Sequence, residues 1–126
     1  QCAVFIGYDE ALAHLVYAGA DFLLMPSRVE PCGLNQMYAL RYGTMPMVRS
    51  TGGLRDTVID FGEEGGYGIR FDHVSVDDMT LAISRAVVLY DDTRKMQTLR
   101  KRMMALDFSW GRSAKEYTNL YQSLIL

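Results

Sequence analysis

Cysteine is scarce in this chain: Cys2 and Cys32 are its only two, too few for a disulfide framework, so a reducing compartment is expected. Histidine is equally rare. His14 lies in a helical stretch and His73 follows a strand, with no Cys or Asp at ligand spacing, so no metal site is expected. No apolar run approaches the ~20 residues of a membrane-spanning helix, and no signal peptide precedes the first apolar stretch. A net charge of -2 excludes a protein built mainly for nucleic acid or an anionic membrane. The basic cluster Arg94, Lys95, Arg100, Lys101 and Arg102 reads as a solvated helix face.

What remains is a chain of 126 residues, 49% hydrophobic, enough for one domain with a single core. It begins at Gln1 without a Met and reads as core strand from Ala3, which points to a piece of a longer chain.

Short apolar runs alternate with helical patterns. Ala3 to Ile6, Asp21 to Met25, Met45 to Val48 and Tyr67 to Phe71 read as strands. Asp9 caps a helix ending at Gly19; Leu34 to Tyr42 is a helix closed by Gly43; Leu54 to Ile59 is a short one. Val76 to Tyr90 is helical with Met79, Ile83, Ala86, Val87 and Tyr90 on one face. Thr93 to Leu106, capped by Thr93, and Ser109 to Leu126 follow as helices. The methionines at 79, 96, 103 and 104 read as core filler. This order predicts an α/β fold: a parallel sheet of about four strands, helices on both faces, and extra C-terminal helices.

In such a sheet, ligands bind outside the carboxyl ends of the strands. Three loops leave those ends: Gly7-Tyr8-Asp9, Ser27 to Asn35, and Ser50-Thr-Gly-Gly53. The second is the most informative. Glu30 lies between a strand and a helix, followed by a glycine and the free N–H groups of Cys32, Gly33 and Leu34. A carboxylate can hold a sugar hydroxyl there, and the helix N-terminus a phosphate. Tyr8 adds a ring for a flat base, so the rim fits a nucleotide sugar. Each piece has a plainer reading. Tyr8 is also a common strand-end tyrosine, Glu30 a loop or first-turn acid, Cys32 a small buried residue, and Thr51-Gly-Gly53 a turn. Arg28, Arg41, Arg49 and Arg55 could reach a phosphate, but surface arginines are common.

The string from Pro26 through Glu30-Pro-Cys-Gly-Leu34 to Gly43, with Thr51-Gly-Gly-Leu-Arg-Asp-Thr-Val58, resembles the C-terminal domain of bacterial glycogen synthases and plant starch synthases. Tyr17-Ala-Gly-Ala-Asp21 and Phe108-Ser-Trp110 fit as well, so the likeness covers essentially the whole chain. It implies a retaining hexosyltransferase of the two-Rossmann-domain type, moving glucose from ADP-glucose, with UDP-glucose the lesser candidate, to the non-reducing end of an α-1,4-glucan. Residues 1–126 would be the C-terminal nucleotide-sugar-binding domain, without the N-terminal acceptor domain, and inactive alone or able only to bind donor. By motif, Glu30 is the candidate catalytic and sugar-binding carboxylate, and Cys32, Gly33 and Leu34 also hold the sugar. Leu34 and Asn35, with Thr51, Gly52 and Gly53, are the phosphate candidates, and Tyr8 is the base platform. No cofactor is implied.

Tyr38 stands where many retaining transferases have a second Glu; the glycogen and starch synthase branch also has Tyr there, and Asn35 stands where Thr is commoner in that branch. The implied compartment is the bacterial cytoplasm, or the plastid stroma for a plant protein. Alternatives are a non-catalytic nucleotide- or glycan-binding module, or another retaining nucleotide-sugar transferase. A sheet lacking its first strands would expose an edge suited to pairing with a second copy.

Overall fold

The computed structural model describes residues 2–125. Its centre is a three-stranded parallel sheet in the order β1 (Phe22–Met25), β2 (Met45–Arg49), β3 (Ile69–Phe71). Phe22 lies opposite Met45 and Met25 opposite Val48; Met47 lies opposite Ile69 and Arg49 opposite Phe71. The carboxyl ends of β1 and β2 are therefore level, and the loops that leave them share one rim.

Alternation along β2 divides the core. Val48 and Met25 pack with Leu54 and Val58 on one face. Met47 and Ile69 face the other way, with Ala82, Ala86 and Leu89. The first face is covered by α3 (Gly52–Thr57), the second by α4 (Val76–Asp91). Helix α2 (Asn35–Tyr42) connects β1 to β2 and packs beside both α1 (Glu10–Gly19) and α5 (Thr93–Met104). Helix α5 lies near the amino ends of the strands. Its Arg100 pairs with Asp21 just before β1, and its Met104 packs on Gly43 just before β2.

Local signals account for most boundaries. Asp9 accepts the N–H of Leu12 at 2.9 Å and caps α1. Gly43, at φ 77°, turns the chain out of α2 in the left-handed region. Ser75 caps α4. Thr44, fully buried, shares its hydroxyl between the carbonyls of Tyr17 and Ala20 and so ties the end of α1 to the start of β2.

Several expectations are corrected. Ala3 to Ile6 forms no strand; Val4 and Ile6 are 81% and 93% exposed. A strand needs a neighbour's hydrogen bonds as well as apolar side chains, and this segment has none. Among the described residues the sheet thus has three strands, and β1 has a free edge. The last strand begins at Ile69, with Tyr67 buried before it. The short helix begins at Gly52 and ends at Thr57, two residues earlier than expected at each end. Asp92, and not Thr93, caps α5, accepting the N–H of Lys95 at 2.9 Å. The buried face of α4 is Ala82, Ala86 and Leu89, while Ile83, Val87 and Tyr90 lie exposed beside the free edge of β1. Met96 and Met103 are core, as read; Met104 is half exposed.

The basic cluster is less idle than a solvated face. Arg100 holds Asp21, Arg102 donates to the Gly66 carbonyl at 2.9 Å, and Lys95 lies 4.9 Å from the Phe61 ring centre. The last helix, α6 (Trp110–Leu124), buries no residue. The expected end of that helix at Leu126 lies outside the described residues. Among the described residues, no helix is long and apolar enough to cross a membrane.

Candidate functional site

The loop from Pro26 to Leu34 leaves β1 and enters α2 (Asn35–Tyr42). Its first part is held by Arg49, at the end of β2. The guanidinium donates from Nε to the Ser27 carbonyl at 2.7 Å, from Nη2 to the Arg28 carbonyl at 2.5 Å, and from Nη1 to the Asp72 carbonyl. Arg49 is therefore a loop clamp. Arg41 donates to the Met104 carbonyl, and Arg55 lies 4.0 Å from Asp56.

The second part rests on α3 (Gly52–Thr57). The Gly53 N–H donates to the carbonyls of Glu30 and Pro31 at 3.2 and 3.1 Å. A Cβ on Gly52 would lie 2.0 Å from the Glu30 carbonyl oxygen. The paired glycines therefore let two backbones meet. Gly53, offered by the sequence as a phosphate ligand, has its N–H engaged within the fold.

Gln36 joins the same two segments from inside. It is fully buried, and the two hydrogens of its Nε2 are shared among the carbonyls of Cys32 (3.2 Å) and Gly33 (2.9 Å) and Thr57 Oγ1 (3.0 Å). Thr57 in turn donates to the Gly53 carbonyl at 2.5 Å. Sequence reasoning missed Gln36, Thr57 and Arg49 in this role. Gln36 did leave a signal: it is a polar residue on the buried face of a helix, in line with Ala39 and Leu40.

The outward side of the loop is open. Among the described residues, the N–H groups of Cys32, Gly33, Leu34 and Asn35 have no backbone or side-chain acceptor. Gly33, at φ 72°, provides the bend that lets consecutive amides converge. Glu30 is half-buried beside them, and among the described residues its carboxylate accepts only a long bond from Ser27 Oγ at 3.4 Å. Cys32 is exposed, contrary to the plain reading of a buried small residue. The site thus offers one little-engaged carboxylate and four free amides at a helix start. That set can grip hydroxyls and an anionic group together.

Thr51 is half-buried at the start of α3, with its N–H on the Arg49 carbonyl at 2.9 Å; Gly52 is exposed. Tyr8 is not gathered to this loop. It is 91% exposed, on a segment unpaired with the sheet. Among the described residues, no three His, Cys, Asp or Glu side chains cluster as a metal site would require.

No family model matches the chain. Glycogen synthase from Flavobacterium johnsoniae is 62% identical over 122 residues, covering 97% of this chain and 26% of that protein. Glycogen synthase from Rhodospirillum rubrum is 57% identical over 125 residues, covering 98% of this chain and 26% of its own length. The chain thus spans about a quarter of the curated relatives it matches. Among solved structures, the catalytic domain of starch synthase IV from Arabidopsis thaliana, bound to ADP and acarbose, is 41% identical with a TM-score of 0.85. That match covers 94% of this chain and 25% of the other. Sucrose-phosphate synthase from Thermosynechococcus elongatus is more distant, at 28% identity and a TM-score of 0.69, covering 96% of this chain and 30% of its own. With such identity sustained along nearly its whole length, the chain belongs to the glycogen synthase and starch synthase family.

Proposed function

We propose that this chain is the donor-binding part of a retaining hexosyltransferase that moves glucose from ADP-glucose to the non-reducing end of an α-1,4-glucan. The observation that carries the reading is the row of free amides from Cys32 to Asn35 beside the little-engaged Glu30 carboxylate. The family of its relatives and the ADP bound to the plant enzyme support it.

In this reading Glu30 accepts hydroxyl hydrogens of the donor glucose. The backbone at Cys32, Gly33 and Leu34 holds the sugar, and the N–H groups of Leu34 and Asn35 face the diphosphate. Thr51 and Gly52 lie at the edge of the phosphate subsite, where Gly53 contributes by spacing. Tyr8 would stack on the adenine once its segment is drawn to the rim. Amides and cationic side chains neutralise the diphosphate, with no cofactor. The acceptor glucan meets the donor through a further domain of the whole enzyme. A second copy of the chain would pair along the free edge of β1.

The acceptor hydroxyl oxygen bonds to the anomeric carbon as the bond from that carbon to the diphosphate oxygen breaks. Attack and departure take place on one face, which retains the configuration. The leaving phosphate takes the hydroxyl proton, and the amides stabilise its charge.

Glu30→Gln in the whole enzyme is expected to lower turnover about a hundredfold, since the interaction strengthens as the sugar becomes cationic. Unchanged turnover would remove Glu30 from the site. Titrating this chain with ADP, ADP-glucose and UDP-glucose while following amide shifts tests the donor. Saturable shifts at residues 32–35, strongest with ADP-glucose, are expected; a stronger response to UDP-glucose would reverse the donor assignment.

A further inference from the structure

We infer that Gln36 is a positioning residue: its buried amide turns the Gly33 and Leu34 N–H groups toward the donor. The inference rests on the nucleotide-sugar reading above.

A peptide unit is planar and trans, so the carbonyl of one residue and the N–H of the next point in opposite directions. Gln36 Nε2 draws the Cys32 and Gly33 carbonyls inward, at 3.2 and 2.9 Å. The N–H groups of Gly33 and Leu34 must then point outward, where among the described residues no protein group accepts them. The third acceptor around Nε2, Thr57 Oγ1, shares its two hydrogens and ties these two peptide planes to α3, on which the Glu30 loop already rests. One side chain thus sets the direction of two donors and their offset from the carboxylate.

Two further observations favour this role over space filling. Gln36 Oε1 is buried and has no hydrogen-bond partner among the described residues. A bare buried acceptor destabilises a core, and a Met or Leu of similar size would avoid it. The three acceptors on the Nε2 side fix which way the amide faces, so its open oxygen follows from holding the loop. In addition, a Cβ on Gly33 would lie 2.5 Å from that oxygen, so the amide is seated directly against the bend of the loop.

The test uses the whole enzyme, with Gln36→Met, Gln36→Glu and Thr57→Val compared with Glu30→Gln. Thr44→Val serves as a buried control away from the site. Gln36→Met is expected to lower kcat at least about tenfold, since misdirected donors fail to meet the developing charge. Thr44→Val keeps the wild-type kcat. Gln36→Glu supplies a readout that packing alone would not move. Ionised, the new carboxylate repels the two carbonyls; protonated, it donates to one of them. Its kcat should therefore recover as the pH falls, a trend absent from wild type and from Gln36→Met. Wild-type kcat in Gln36→Met, or a wild-type pH profile in Gln36→Glu, overturns the inference. If Glu30→Gln is impaired while Gln36→Met is not, only this inference fails; if neither is impaired, the placement of Glu30 in the donor site fails with it. Should both Gln36 variants fail to fold, Thr57→Val carries the test. A kcat lowered at least about threefold supports the tie to α3, and a wild-type kcat overturns it.

Discussion

A Cβ placed on Gly53 would lie 1.9 Å from the carbonyl oxygen of Cys32. The loop that carries Glu30 therefore sits on the first turn of α3 with no room for a side chain between them. Gly53→Ala must lift the loop and break the bonds from the Gly53 N–H to the Glu30 and Pro31 carbonyls. We expect a loss of about 1–3 kcal/mol in urea unfolding, as for other overpacked contacts, with donor turnover falling alongside. Stability equal to wild type would show that the loop can move away freely.

Arg49→Lys tests the clamp on the other half of that loop. A guanidinium reaches the Ser27 and Arg28 carbonyls at once, which an ammonium on a flexible stem does not reproduce. The donor KM should rise several-fold, with the unfolding free energy lower by only about 1 kcal/mol. A wild-type KM would confine Arg49 to a structural part.

Asp60 gives the fold an acid-sensitive joint. Burial would raise its pKa, but the Arg85 guanidinium at 2.5 Å and the N–H groups of Arg70 and Gly62 outweigh burial and hold it below the ordinary carboxylate value. A carboxylate lowered in the folded state stabilises fully above its unfolded pKa of about 4 and loses that contribution as the pH falls through the folded value. Asp60→Asn should cost about 1–3 kcal/mol at neutral pH, and its gap from wild type should close in acid. A gap that stays constant from neutral to acidic pH would contradict this assignment.

Thr44→Val separates folding from function. It removes the one hydroxyl serving the Tyr17 and Ala20 carbonyls in a fully buried position. Thermal or urea unfolding should show a loss of about 1–3 kcal/mol. Donor KM and kcat, measured well below the melting temperature, should not change; a changed KM would mean that α1 is coupled to the site.

Signals that act within a few residues were legible in the sequence. Asp9 and Gly43 bounded their helices because a cap acts on the turn beside it. The Glu30 loop stood out because Pro31 and Gly33 punctuate a strand-to-helix passage. Signals that need a distant partner were not legible. Ala3 to Ile6 is apolar enough for a strand, yet strand formation depends on a neighbour that local sequence does not specify. The face of α4 was misread because Ile83, Val87 and Tyr90 extend beyond the edge of a sheet whose width cannot be seen in the helix itself. The tie from Gln36 to Thr57 and the Arg49 clamp span about twenty residues of chain, a separation no local period reveals.

Trp110, at the start of α6, is 88% exposed and is the only tryptophan in the chain. It is thus a built-in optical probe. Its emission should be red-shifted and readily quenched by iodide in the isolated chain. Any event that covers α6 will move the emission to the blue and shield it from quencher, so association can be followed without attaching a label.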